Sequence, residues 1–278
     1  MHAIAHNKMR HRILLVLSLP LTVLIILSGL VGLQTPGFYA AESPNWQAQS
    51  IGQDMVNVFL IAPCLLIASI FVQRNNSNAK LVWAGTVLYL IYTFVIYCFD
   101  VHFNKLFFIY CLCLGLSFYA FVYFLFTHYN EYRSMTIASK GFIRFTGSYF
   151  IVISLVFYFL WLAEIIPSVL QNTTPKTVTE AGLFTNAVHV IDLAVMLPAI
   201  FITGIFLIEK KTLGFILAPI LLTFFVLMNL TIGMLMIMMK RKGLEADLFL
   251  SLIMGLLATT SLALLIGFLR RMKTTAGS

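Results

Sequence analysis

Charge is scarce in this chain. Only 10% of its 278 residues are Asp, Glu, Lys or Arg, against about 25% in a typical soluble domain. That shortage excludes a soluble globule, a disordered chain and a nucleic-acid-binding domain, each of which needs charge to meet water or phosphate. Cysteine is sparse too. The four thiols, Cys64, Cys98, Cys111 and Cys113, lie within or at the edges of apolar runs. Cys111 and Cys113 stand two apart, on different sides of a helix, so they form no chelating pair. The set reads as packed free thiols rather than a disulfide framework. Sharp catalytic signatures are missing as well: no Walker loop, no Rossmann fingerprint, no His-Glu-x-x-His, no Gly-x-Ser-x-Gly.

What the chain has is apolar residues, 60% of the total. They gather into eight runs, at 12–33, 55–72, 81–99, 106–127, 145–166, 187–208, 213–239 and 248–269. A helix crosses the hydrocarbon core in about 20 residues, so these are eight spans. The expected fold is an all-α polytopic transmembrane bundle forming a single membrane domain over residues 1–278. Loops as short as 209–212 and 100–105 force neighbouring spans to run antiparallel. Run 1 follows Lys8, Arg10 and Arg12 as a signal peptide would. It is, however, longer than the 7–15 residues of a signal core. Phe38-Tyr39-Ala40-Ala41 also offers no clean small-x-small cleavage site, so a retained span is expected.

Basic residues set the expected orientation. Thirteen of the 18 fall on the side of the N-terminus: Lys8, Arg10, Arg12, Arg74, Lys80, Arg133, Lys140, Arg144, Lys210, Lys211, Arg270, Arg271 and Lys273. The other five are Lys105, Lys176, Lys240, Arg241 and Lys242. Both termini are therefore expected in the cytoplasm, in a plasma (inner) membrane. The Lys240-Arg241-Lys242 loop runs against this bias. Either Glu245 and Asp247 partly offset it, or run 7, long enough to tilt or break, is no simple crossing.

The chain also hints at a repeat. Shifted by 135 positions, run 2 falls on run 6: Asp54 on His189, Asn57 on Asp192, Pro63 on Pro198, Ile70 on Ile205 and Phe71 on Phe206. One further residue of offset lays Val16-Leu17-Ser18-Leu19 on Val152-Ile153-Ser154-Leu155. Two parallel four-helix halves, 12–128 and 145–270, are the expectation, as in many transporters. Pro63 and Pro198 each remove a backbone donor, and at α-helical spacing the freed carbonyls are Phe59 and Ala194.

Ionisable groups at membrane depth are costly and are functional candidates by default. They collect at the ends of the spans away from the N-terminus: Asp54, Asn57, Tyr97, Asp100, His102, Glu164, His189 and Asp192. Asp54 with Asn57, and His189 with Asp192, are three apart and share a helix face. Pseudo-symmetric halves would turn these faces toward one outward-open polar pocket. Competing explanations exist for several of them. Ser50-x-x-Gln53 resembles a helix-start capping box, which would make Asp54 a first-turn acid favoured by the helix dipole. His102 in its tight loop could be solvated, and His189 with Asp192 could be a structural hydrogen bond. Met234, Met236, Met238 and Met239 could suit Cu(I), but their spacing spreads them around a helix, as packing does. Tyr89, Thr93 and Tyr97 form a stripe on run 3.

The expected function is binding or transport of a small solute or ion, with the lipid bilayer as surroundings and no nucleic acid partner. The alternatives are a membrane-embedded enzyme using a His/carboxylate pair and a non-catalytic assembly subunit. The sequence leaves the cofactor unknown.

Overall fold

The computed structural model describes residues 2–133, 135–137, 139–246 and 248–274. Asp247 lies outside the described residues, as do the side chains of Lys8, Arg10 and Lys273. Among the described residues, eight helices are long and apolar enough to cross a membrane. They are span 1 (His11–Gln34), span 2 (Pro44–Gln73), span 3 (Ser77–Phe99), span 4 (Phe107–Tyr132), span 5 (Lys140–Gln171), span 6 (Ala187–Ile208), span 7 (Thr212–Arg241) and span 8 (Phe249–Arg271). Large apolar side chains such as Phe126, Phe159 and Leu252 point outward, each more than 70% exposed. Water would penalise such a surface; lipid does not.

Spans 3 and 7 form the centre. Span 3 is the most buried of the eight, with 67% of its apolar window inside the protein, and span 7 follows at 50%. They pack on each other, and span 7 also packs on span 2. Around them, spans 1, 2, 3 and 4 contact in sequence, and span 1 closes back on span 4. Spans 5, 6, 7 and 8 also contact in sequence. Tyr149 of span 5 bonds Ser261 of span 8 at 2.8 Å, and Phe142 and Phe268 of the same two spans meet. Two three-residue strands, Met135–Ile137 and Met272–Thr274, pair antiparallel. They join the segment after span 4 to the one after span 8, so both lie at the N-terminal end of the bundle.

Two details differ from expectation, and a third bears on an alternative the sequence leaves open. Span 2 begins at Pro44, eleven residues earlier than the apolar run. Ser43 Oγ caps it by accepting from the Trp46 N–H at 3.2 Å, and Pro44 takes the first turn, where no N–H is needed. Ser50 and Gln53 therefore sit inside a helix and form no capping box. Asp54 is almost three turns in, at about 3.6 residues per turn, too deep for the dipole of a helix start to explain it. The polar run 45–54 hid this because its side chains meet protein rather than lipid: Ala48, Ser50, Gly52 and Asp54 are all buried. Span 7 is one continuous, unbroken helix, Thr212–Arg241. Span 5 runs through Pro167 to Gln171.

Spans 2 and 6 share a local distortion. Each contains a π-helical turn, Asn57–Ile61 and Asp192–Met196, followed by a 12-residue α-helix with proline at its second position. The Ala62 N–H reaches the Asn57 carbonyl, and the Leu197 N–H reaches that of Asp192, each five residues back. The prolines explain the turns. In this wider register Pro198 lacks the N–H that would meet Leu193, not Ala194. The Leu193 carbonyl accepts instead from Tyr158 Oη of span 5 at 3.2 Å.

Candidate functional site

The eight candidate residues all lie toward the end of the bundle away from the N-terminus, but they fall into separate groups. The first surrounds Asp54, which is 1% exposed. Its Oδ2 accepts from Tyr39 Oη and its Oδ1 from Tyr97 Oη, both at 2.6 Å. The Tyr97 ring packs on Tyr110 of span 4, centroids 4.9 Å apart. Gly32 of span 1 makes room: a Cβ there would overlap Asp54 Oδ2 and stand 2.8 Å from Tyr39 Oη. Burial, and then the charge of Asp54, push the Tyr39 hydroxyl well above its ordinary range, so it stays a donor. Four elements thus hold one carboxylate, and every group bonded to it is neutral.

The second group surrounds Asp192. Its Oδ1 accepts from Tyr92 Oη of span 3 at 3.1 Å, and its Oδ2 from Trp161 Nε1 of span 5 at 2.9 Å. His189 shares that face, its ring 4.5 Å from the Trp161 ring. No His189–Asp192 hydrogen bond forms among the described residues. The tryptophan takes the oxygen, and His189 Nε2 is buried with no partner among the described residues. Glu164, one turn beyond Trp161, binds the Thr177 N–H at 3.1 Å and its hydroxyl at 2.6 Å through Oε1.

Span 3 separates and links these groups. Tyr92 and Tyr97 are five residues apart, which turns them about 140° around the helix. Asp54 and Asp192 therefore approach span 3 from different sides and share no ligand atom. Tyr89, on the same span, accepts from Gln53 Nε2 at 2.8 Å and meets Thr231 Oγ1 of span 7 at 2.8 Å. Gln53 Nε2 also donates to Asn57 Oδ1 at 3.0 Å, while Asn57 Nδ2 is buried without a partner among the described residues.

Asp100 and His102 form the third group, in the loop after span 3. Asp100 Oδ2 accepts from the Ala187 N–H at 2.9 Å, tying span 3 to the start of span 6. Burial pushes its carboxyl up to about 6 despite that hydrogen bond. His102 is not simply solvated: its backbone N–H donates to Glu42 Oε1 at 2.8 Å, and its Nδ1 lies 2.9 Å from Glu42 Oε2. Both residues line a cleft of about 490 Å³ with Phe99, Phe103, Phe184 and Ile191. Asp54, Asn57, Glu164, His189 and Asp192 do not line it.

Sequence reading missed Tyr39, Glu42, Tyr92 and Trp161. Tyr92 is 100 positions from Asp192, and no periodicity connects them. The only available signal was general: a carboxylate in a span needs donors, and aromatic hydroxyl and indole groups are the donors lipid-embedded helices tolerate best.

Compared with protein families, with characterised proteins and with solved structures, the chain matches none.

Proposed function

We propose that this integral membrane protein binds and transports a small cation or cationic solute, with Asp54 and Asp192 as the two charge-carrying stations. One observation carries the reading. Among the described residues, each carboxylate is held only by neutral hydroxyl or indole donors, three residues before or at the start of a π turn closed by proline. A carboxylate held so in a membrane bundle leaves one positive charge to be supplied from outside, a proton or a small cation. π turns inside α-helices occur frequently at functional positions. Asn57 Nδ2 and His189 Nε2, both buried and unpartnered among the described residues beside these turns, offer polar atoms to a solute.

Two coarser readings go with it. The spans divide into related halves, 12–128 and 145–270. Support comes from the matched π turns and from the 135-residue spacing of their prolines. Both termini face the cytoplasm, for which the support is the basic bias. The polar groups then open outward, with the Asp100–His102 cleft as the approach.

The test is flux. Purified protein in lipid vesicles is given sudden steps of pH, Na⁺, K⁺ or an organic cation, and the current or internal pH is read. Wild type should respond to at least one step, and Asp54→Asn with Asp192→Asn should abolish the response while the protein still inserts. No response to any step, or an undiminished one in the double variant, contradicts the proposal.

A further inference from the structure

A second polar cluster lies at the opposite end of the bundle, among residues the transport reading does not use. His11 opens span 1, while His128 and Glu131 close span 4. One candidate ligand atom from each lies within 4.8 Å of the other two. The imidazoles stack, with centroids 6.1 Å apart and planes inclined by 21°. They are 5% and 1% exposed, and the Nε2 of each is buried with no hydrogen-bond partner among the described residues. Two orphaned nitrogens side by side are costly unless something binds them.

The hydrogen bonding around His128 shows what kind of group that is. Thr127 Oγ1 donates its single proton to the Tyr123 carbonyl at 2.6 Å. The same oxygen lies 2.8 Å from His128 Nδ1. With the hydroxyl proton committed, the hydrogen of that contact comes from Nδ1. His128 Nε2 is then a bare lone pair, buried and unpartnered among the described residues. An imidazole whose far nitrogen donates to a fixed acceptor is arranged as metal-bound histidines are.

Lys80 selects among metals. Its fully buried ammonium binds Glu131 Oε1 at 2.6 Å and Asn75 Oδ1 at 3.0 Å. Ser77 Oγ donates to the same Glu131 oxygen at 3.1 Å. A neighbouring positive charge works against hard cations such as Mg²⁺ or Ca²⁺, which are held by charge on oxygen. It works less against a metal that forms directed bonds to imidazole.

We propose that His11, His128 and Glu131 form a binding site for one first-row divalent metal ion, Zn²⁺ foremost. Two imidazoles and one carboxylate are an established zinc donor set and leave a fourth position for water. The ion joins span 1 to span 4, helices far apart in sequence, and so closes the first four spans at their N-terminal end.

The experiment uses the full chain without an affinity tag, in a His2→Gln/His6→Gln background that removes the other N-terminal histidines. Chelator-treated protein is titrated with Zn²⁺ and with Co²⁺. The site predicts about one Zn²⁺ bound per chain and a tetrahedral visible absorption for Co²⁺. It also predicts a rise in Tm of roughly 5 °C or more at saturating Zn²⁺. His11→Gln/His128→Gln should lose all three. Thr127→Val, which keeps every ligand, should weaken binding about tenfold. Failure of the background protein to take up metal overturns the proposal even if the site variants do not fold. So does uptake that is unchanged in His11→Gln/His128→Gln. Flux in vesicles is scored separately, so the transport reading can fail while this one stands.

Discussion

Gly85 of span 3 lies against the carbonyl of Ile220 in span 7. A Cβ on Gly85 would stand 2.6 Å from that oxygen and 2.5 Å from Thr223 Cβ. The two residues are 135 positions apart, the spacing that lays Pro63 on Pro198. In halves related by a two-fold axis along the membrane normal, a residue on the axis meets its own counterpart, so the proposed repeat gives a reason for this crossing.

Gly85→Ala should therefore destabilise, because backbone rather than a flexible side chain blocks the added methyl. A cost of about 1–3 kcal/mol is expected. Gly115→Ala is the control, since nothing lies within 4 Å of a Cβ there, and helix propensity should make it neutral or mildly stabilising. Melting temperatures in detergent would read both. Equal effects at the two sites would contradict the close central crossing.

Asp100 gives a pH prediction with a definite sign. Its folded carboxyl titrates near 6 because of burial, against about 3.9 in an unfolded chain. The folded state thus holds the proton more tightly. The stability this gives is present below about pH 4 and is lost as pH rises through about 6. Asp100→Asn keeps an acceptor for the Ala187 N–H but cannot ionise. The Tm of the variant minus that of wild type should therefore increase from pH 4 to pH 7. Glu42 and His102 are unchanged in both proteins and cancel from the difference. A flat or decreasing gap would contradict the assignment.

Orientation can be read with labels. In a background lacking the native cysteines, Thr174→Cys, between spans 5 and 6, should react with an impermeant maleimide added outside intact cells. Lys140→Cys, at the start of span 5, should react only after lysis. The reverse pattern would turn the bundle over and place the Asp54 and Asp192 groups on the cytoplasmic side.

Much of the architecture was legible because lipid imposes a simple rule: a span must be apolar for about 20 residues. The rule gave eight spans and their antiparallel order. It failed at the start of span 2, because 45–54 is shielded by protein and need not be apolar. The candidate site was legible as a set of residues but not as a geometry. Asp54 and Asp192 stand out in a sequence with ten acids. That Tyr97 would bind one and Tyr92 the other depends on how span 3 is rotated against its neighbouring helices, which no local pattern encodes. Trp161 was invisible for the same reason: it intercepts Asp192 from a neighbouring helix and leaves His189 without the expected bond. The His11–His128–Glu131 cluster joins His11 to a pair more than 110 positions away, and nothing in the sequence pairs His11 with them.

The central claim is that Asp54 and Asp192 take up and release positive charge. Infrared difference spectroscopy on the protein in lipid tests it at the atoms concerned. A step of pH or of the transported cation should change the carboxyl stretching bands, with one component missing in Asp54→Asn and another in Asp192→Asn. Difference bands that are absent from wild type, or that persist unchanged in the variant lacking both carboxylates, would contradict the account.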